Sequence, residues 1–140
     1  MVDPRKVRSL LGRLAERSGE LSRYAELEPD TYLADREGIL ASRYLLINVI
    51  EDALAVANHV IASEGYRSPG DYADSFRVLE ERGLLPDDGA DRLSVAAGFR
   101  NLVVHEYARI DDRRVHVFLT DGLDDLRAFA AAVYEAFPEL

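Results

Sequence analysis

Between Asp30 and Glu64 the chain carries an apolar repeat that leaves few folds open. Leu40, Ile47, Leu54 and Ile61 recur every seven residues, and Ile39, Leu46, Ile50, Ala53 and Ala57 widen the row into a broad stripe. Apolar residues at this period lie on one side of a helix, and a stripe this long has to be covered by other elements. The pattern predicts one long helix over 30–64, stopped by Gly65, at the core of a bundle rather than a cofactor box.

The remaining segments supply the cover. Asp3-Pro4 combines an N-cap with a proline at the first helical position, and Val7, Leu10, Leu11, Leu14 and Leu21 continue at helical spacing to about Leu27, where Pro29-Asp30 breaks the pattern. Ser68-Pro69-Gly70-Asp71 has the spacing of a capping box, opening a short helix with Tyr72, Phe76 and Leu79 facing inward and Gly83 at its end. Asp87 or Asp88 is placed to cap a fourth helix carrying Leu93, Ala96, Ala97, Phe99, Val103 and Val104. Asp111 to Arg114 turns the chain into a last helix with Val117, Leu119, Leu123, Leu126, Phe129, Val133 and Phe137, with an irregularity expected near Thr120-Asp121-Gly122. Only Val115 to Leu119 has any strand-like alternation. The expected fold is all-α: an antiparallel bundle of four to five helices forming one domain over 1–140.

With no cysteine, disulfide frameworks, thiol chemistry and Cys-ligated zinc are excluded, and a reducing compartment suits the chain. The N-terminal Met1 to Lys6 is not followed by an apolar signal core and no apolar run looks long enough to cross a bilayer, so a cytoplasmic protein without membrane contact is expected. A net charge of -9 argues against a general nucleic-acid coat, and no basic recognition helix for DNA is visible. A small cationic cleft on an acidic body remains compatible with it, and also suits docking to a charged protein partner.

Chemistry concentrates in Arg100-Asn101-Leu102-Val103-Val104-His105-Glu106-Tyr107. RNA cleavage through the 2′-hydroxyl needs a base for the 2′-OH proton, a cation for the charge growing on phosphorus, and an acid for the leaving 5′-oxygen. Histidine titrates near neutrality and serves either proton transfer, while arginine stays charged and binds oxygen pairs. No metal or cofactor is required. On a regular helix, however, Arg100 and His105 are about 140° apart, Asn101 lies with His105, and Arg100 lies with Tyr107. Three solutions are open: a helix interrupted near His105, an arginine that wraps round, or a second copy that completes the site across a two-fold axis.

Arg100-Asn101-x-x-x-His105-x-Tyr107 resembles the R-x4-H-x-Y signature of the HepT toxins in the HEPN superfamily. The likeness extends to Arg43-Tyr44-Leu45-Leu46, Ile50-Glu51-Asp52-Ala53 and Ala57-Asn58-His59-Val60-Ile61, to Ser68–Tyr72 with Phe76 and Leu79, to Phe99, and to Leu123-Asp124-Asp125-Leu126. It implies a homodimeric, metal-independent ribonuclease toxin whose two motif copies form one cleft. Arg100 and His105 would be the catalytic pair, and Asn101 a supporting residue. The implied partner is an MntA-type nucleotidyltransferase antitoxin that transfers AMP to Tyr107. An alternative within the superfamily is a non-catalytic nucleotide-binding or scaffold partner of a nucleotidyltransferase.

The resemblance also makes Asp52 a candidate to orient His105 or pair with Arg100, against the plainer expectation of a structural ion pair. Arg43, Arg109 and Arg113, with Arg114, are candidates to follow the RNA backbone, against surface salt bridges or solvated turns. His59 and His116 lack neighbouring ligands for a metal and read as structural or solvated. Glu80-Glu81, Asp87-Asp88 and Asp124-Asp125 read as solvated faces and caps. Tyr24, Tyr32 and Tyr134 are expected to pack with their hydroxyls at the surface.

Overall fold

The Asp3 carboxylate accepts hydrogen bonds from the Arg5 and Lys6 N–H groups (3.0 and 3.4 Å), and with Pro4 at the first position it opens α1, Pro4–Ala25. The computed structural model describes all 140 residues, Met1–Leu140, as helices joined by short turns. After α1 come α2 (Pro29–Ala34), α3 (Arg36–Ser63), α4 (Tyr72–Glu81), α5 (Gly89–His105), a 3-10 turn (Tyr107–Arg109) and α6 (Asp112–Ala136). The all-α bundle is as expected, with one more helix than the sequence suggested.

The additional helix arises because the long segment is broken at Asp35. There the backbone leaves helical geometry (φ -98, ψ 84), and the Asp35 carboxylate caps the Gly38 N–H at 2.9 Å. Gly38 is buried against that carboxylate and the Tyr24 ring, where any Cβ would collide. The junction therefore needs a residue without a side chain.

α3 is the centre of the molecule, packed against α1, α4, α5 and α6. It does have the length and apolarity of a membrane-crossing helix, contrary to expectation, but its apolar side is spent on the bundle: Leu46, Val49, Ile50, Ala53, Val56, Ala57 and Val60 are buried among its neighbours. The seven-residue row is not wholly inside. Leu54 and Ile61 are buried, Ile47 is half-buried and Leu40 is 37% exposed. A 3.6-residue helix drifts by about 20° per heptad, so a row that faces the core at one end turns out of it at the other.

The capping box does not start at Ser68. Asp71 caps α4 by accepting from the Asp74 N–H at 2.7 Å, and Ser68-Pro69-Gly70 stays outside the helix. That loop is pinned instead by the Gly70 N–H donating to Asp74 (2.8 Å) and by Arg67 bridging Asp74 and Glu81 (both 2.8 Å). α4 ends as expected at Gly83, whose φ of +78 lets the Leu84 N–H reach the Leu79 carbonyl at 3.0 Å. Asp88 occupies the cap position of α5, but its side chain pairs with Arg92 (3.0 Å), and the Ala90 N–H donates to Glu80 instead (3.1 Å).

α6 is continuous: Val115 to Leu119 is helical, and Thr120-Asp121-Gly122 causes no break. Gly122 is there for packing, because the Phe118 ring occupies the space of its Cβ and lies 4.6 Å from the Phe99 ring on α5. Val117 and Val104, expected inside, are exposed. Tyr32 corrects the expectation for the tyrosines. It is fully buried, its hydroxyl lies 2.7 Å from Ser42 Oγ, and burial raises its phenol pKa. His116 is likewise a core residue, its ring tilted against that of Tyr32 with centres 4.9 Å apart.

Candidate functional site

α5 stops at His105. The Glu106 N–H closes the last helical bond on the Leu102 carbonyl (2.9 Å), the backbone leaves helical geometry at Glu106, and the Arg109 N–H then bonds the Glu106 carbonyl (2.8 Å) in the 3-10 turn. The interruption falls after His105, so Arg100 and His105 stay on one continuous helix, about 140° apart around its axis, and only Tyr107 is displaced. Tyr107 accordingly leaves the helix face it would have shared with Arg100.

Arg100 sits at the junction of three helices. Its Nε and Nη2 donate to Glu51 Oε1 on α3 (3.3 and 3.1 Å), its Nη1 to the Asn101 side-chain oxygen (3.3 Å), and its guanidinium lies 4.9 Å from the centre of the Tyr72 ring at the start of α4. The side chain is only 16% exposed, whereas Glu51 is 46% exposed. The cation is thus oriented on three sides, by a partner that solvent can hydrate.

His105 is exposed at the end of α5. It lines a recess with Asn101, Tyr72, Asn58 and Gly98, and a smaller cleft with Leu102 and Glu106. Tyr72 therefore links the two halves of the motif, carrying the Arg100 guanidinium while lining the recess that includes His105. No group of three or more His, Asp or Glu side chains converges in metal-binding geometry anywhere in the chain.

Asp52 does not reach this site. It is buried and accepts from Arg13 and Arg17 of α1, at 2.8 Å each, so it locks α1 to α3. The carboxylate beside Arg100 is its neighbour Glu51. One residue turns a helix by about 100°, enough to move a side chain from the α1 contact to the α5 contact. Arg43 is also a structural partner, donating from Nε and Nη2 to Asp112 (2.9 and 2.6 Å) with its guanidinium 5.2 Å from the centre of the Tyr107 ring. Tyr107 itself is 57% exposed.

Arg109 is exposed on the 3-10 turn. Arg113 and Arg114 border a different groove between α5 and α6, with Arg92, Val95, Phe99 and Val117. His59 accepts the Asp3 N–H at 3.0 Å and ties the two helix ends together. Glu51, Tyr72 and Asn58 are absent from the site residues expected from sequence. Helical phase alone could have raised Glu51, but Tyr72 and Asn58 meet α5 only through the tertiary fold.

The family model described as "Ribonuclease HepT-like" matches residues 14–133. The chain is 31% identical over 80 residues to the mRNA nuclease HepT of Shewanella oneidensis, covering 56% of this chain and 59% of that protein. It is 26% identical over 116 residues to the tRNA nuclease HepT of Aphanizomenon flos-aquae, covering 81% of this chain and 76% of that one. The match thus spans little more than half the length of the Shewanella relative. Among solved structures, the chain superposes on a tri-AMPylated Shewanella oneidensis HEPN toxin in complex with an MNT antitoxin. The TM-score is 0.85 at 19% identity, over 96% of this chain and 99% of that chain.

Proposed function

Since the chain belongs to the ribonuclease HepT-like family, we propose that it is the toxin of a HepT/MntA-type toxin–antitoxin pair and a metal-independent endoribonuclease. The observation that carries this reading is the link through Tyr72: Arg100 is held over its ring, and the same residue lines the recess shared by Asn101 and His105. A phosphodiester lying there meets the solvent-accessible imidazole, and the Arg100 guanidinium is held against two of the lining side chains, Tyr72 and Asn101.

In the proposed reaction a 2′-hydroxyl loses its proton to a base as its oxygen attacks phosphorus. The bond from phosphorus to the 5′-oxygen breaks, and the departing oxygen takes a proton from an acid. The products are a 2′,3′-cyclic phosphate and a 5′-hydroxyl. His105 supplies a proton-transfer group, Arg100 stabilises the phosphorane charge, and Asn101 orients Arg100 through its side-chain oxygen. A homodimer would bring two copies of the motif to one cleft, with a second His105 taking the complementary proton role. The exposed Val95 on α5 and Val117 on α6, which border one groove, supply apolar surface for such pairing.

Neutralisation follows from Tyr107. Its exposed hydroxyl would attack the α-phosphorus of ATP at the antitoxin's active site, releasing pyrophosphate and leaving a phosphodiester-linked AMP. The added negative charge and bulk near the RNA path would repel and block substrate. The test is incubation of purified protein with mixed RNA in EDTA, beside Arg100→Ala and His105→Ala. Cleavage by the parent alone supports the reading, and unchanged RNA supports the non-catalytic scaffold instead. Intact mass after co-expression with the antitoxin should show AMP-sized increments on the Tyr107 peptide.

A further inference from the structure

A recess of about 620 Å³ opens where the start of α4 meets α3 and α5, beside His105. Its size falls in the range of small-molecule sites. Three features give it the chemistry of a base-binding site. Gly98 lies exposed within α5, and a Cβ built on it meets nothing within 4 Å, so the space beside the helix is open. Asn58 accepts the Ser75 hydroxyl at its side-chain oxygen (2.9 Å), and Asn101 accepts Arg100 at its own (3.3 Å). Each contact fixes an amide orientation and leaves the NH2 group as the donor. Tyr72 adds a half-exposed aromatic ring, held by the Arg100 guanidinium.

We propose that this recess is a nucleobase subsite, which takes the base next to the scissile phosphodiester against Tyr72 and reads its edge with the Asn58 and Asn101 amide donors. The assignment rests on the ribonuclease reading for its place in catalysis, though not for nucleotide binding itself. Two donors favour an edge with two adjacent acceptors. Guanine offers O6 and N7, whereas adenine replaces one of them with an amino donor. Stacking supplies affinity without regard to sequence, and the amides supply the preference.

The experiment titrates 5′-GMP and 5′-AMP into 15N-labelled protein and follows the Asn58 and Asn101 side-chain amides. RNA cleavage is measured in parallel on oligonucleotides differing at one base. GMP should bind about tenfold more tightly than AMP. Gly98→Leu fills the recess at a helical position that tolerates leucine better than glycine, and should abolish mononucleotide binding and raise KM on RNA about tenfold. Asn58→Asp keeps the acceptor for Ser75 and removes the donor, so it should erase the GMP preference while Tm stays unchanged. Amides that do not respond to either nucleotide, or Gly98→Leu protein that binds like the parent, overturn the subsite. Mononucleotide binding without RNA cleavage supports the site and removes the nuclease reading alone.

Discussion

Glu51 and Asp52, consecutive on α3, hold arginines from different helices: Glu51 accepts from Arg100 of α5 at 3.1 Å, and Asp52 from Arg13 and Arg17 of α1 at 2.8 Å. The two acidic residues should therefore separate on substitution. Asp52→Ala removes the buried partner of two arginines and should cost about 2 kcal/mol in urea denaturation, moderated because both arginines can turn to solvent. Glu51→Ala should change stability by less than about 0.5 kcal/mol, since Glu51 itself is half-exposed and Arg100 keeps its contacts with Asn101 and Tyr72. It should still lower RNA turnover by releasing the guanidinium, with partial rescue by Glu51→Gln. Equal effects of both substitutions on stability would contradict the structure.

Arg100→Ala and His105→Ala should each reduce RNA cleavage by about a hundredfold or more, as loss of a charge-stabilising or proton-transfer group does. Both should leave the far-ultraviolet circular dichroism spectrum unchanged, because His105 is exposed and Arg100 lies at the edge of the core. Arrest of growth by both variants on expression without antitoxin would remove the catalytic assignment.

Tyr32→Phe should cost about 1 kcal/mol by deleting the buried hydroxyl contact with Ser42, whose own hydroxyl keeps its bond to the Ile39 carbonyl. Burial first of all raises the Tyr32 pKa above its ordinary 10.0. The neutral phenol thus favours the fold below that value, and this contribution is lost as pH rises above it, where the unfolded chain ionises first. The alkaline fall in Tm should be shallower in Tyr32→Phe than in the parent.

Acid should weaken the Arg67 clamp. Hydrogen bonds from Arg67, with one from the Gly70 N–H to Asp74, hold the Asp74 and Glu81 carboxyls below their ordinary 3.8 and 4.5. The clamp stabilises the fold fully above those ordinary values and is lost as pH falls below them toward the depressed ones. Arg67→Gln should flatten the Tm-against-pH curve between about pH 5 and pH 3. High salt should reduce the difference, since the clamp is exposed to solvent.

Gly122→Ala should destabilise by about 1–3 kcal/mol despite the better helix propensity of alanine, because the new methyl displaces Phe118 from its contact with Phe99. Thermal denaturation checks the sign. A gain in Tm would mean that Phe118 moves aside freely.

Helix identity was legible wherever one side of the helix pays for its own burial, as in α1 and the Leu46–Ile61 part of α3. Boundaries were less so. The break at Asp35 depends on a close approach between Gly38 and Tyr24, and the α4 cap moved to Asp71 because Arg67 anchors the preceding loop across the turn. At the site, the span from Arg100 to Tyr107 stood out by residue type, but the stop of α5 comes after His105 and moves Tyr107 alone, leaving Arg100 and His105 apart around the helix as their spacing gives. The choice between Glu51 and Asp52 hung on helical phase, which a broad apolar stripe fixes poorly. Tyr72 comes from a helix whose docking no local pattern encodes. It was read as an inward-facing core residue and instead lies half-exposed beneath Arg100.

Arg43, Glu51 and Asn58 occupy successive stations along one unbroken rod, touching respectively Tyr107, the motif arginine and the recess. Their separation is set by helical rise, about 22 Å from first to last. A single inserted residue inside that interval would swing every later station about 100° around the axis and put them out of step with α5. Substitutions are therefore far better tolerated there than a change of length, and α3 should behave as a gauge whose graduations cannot be added to.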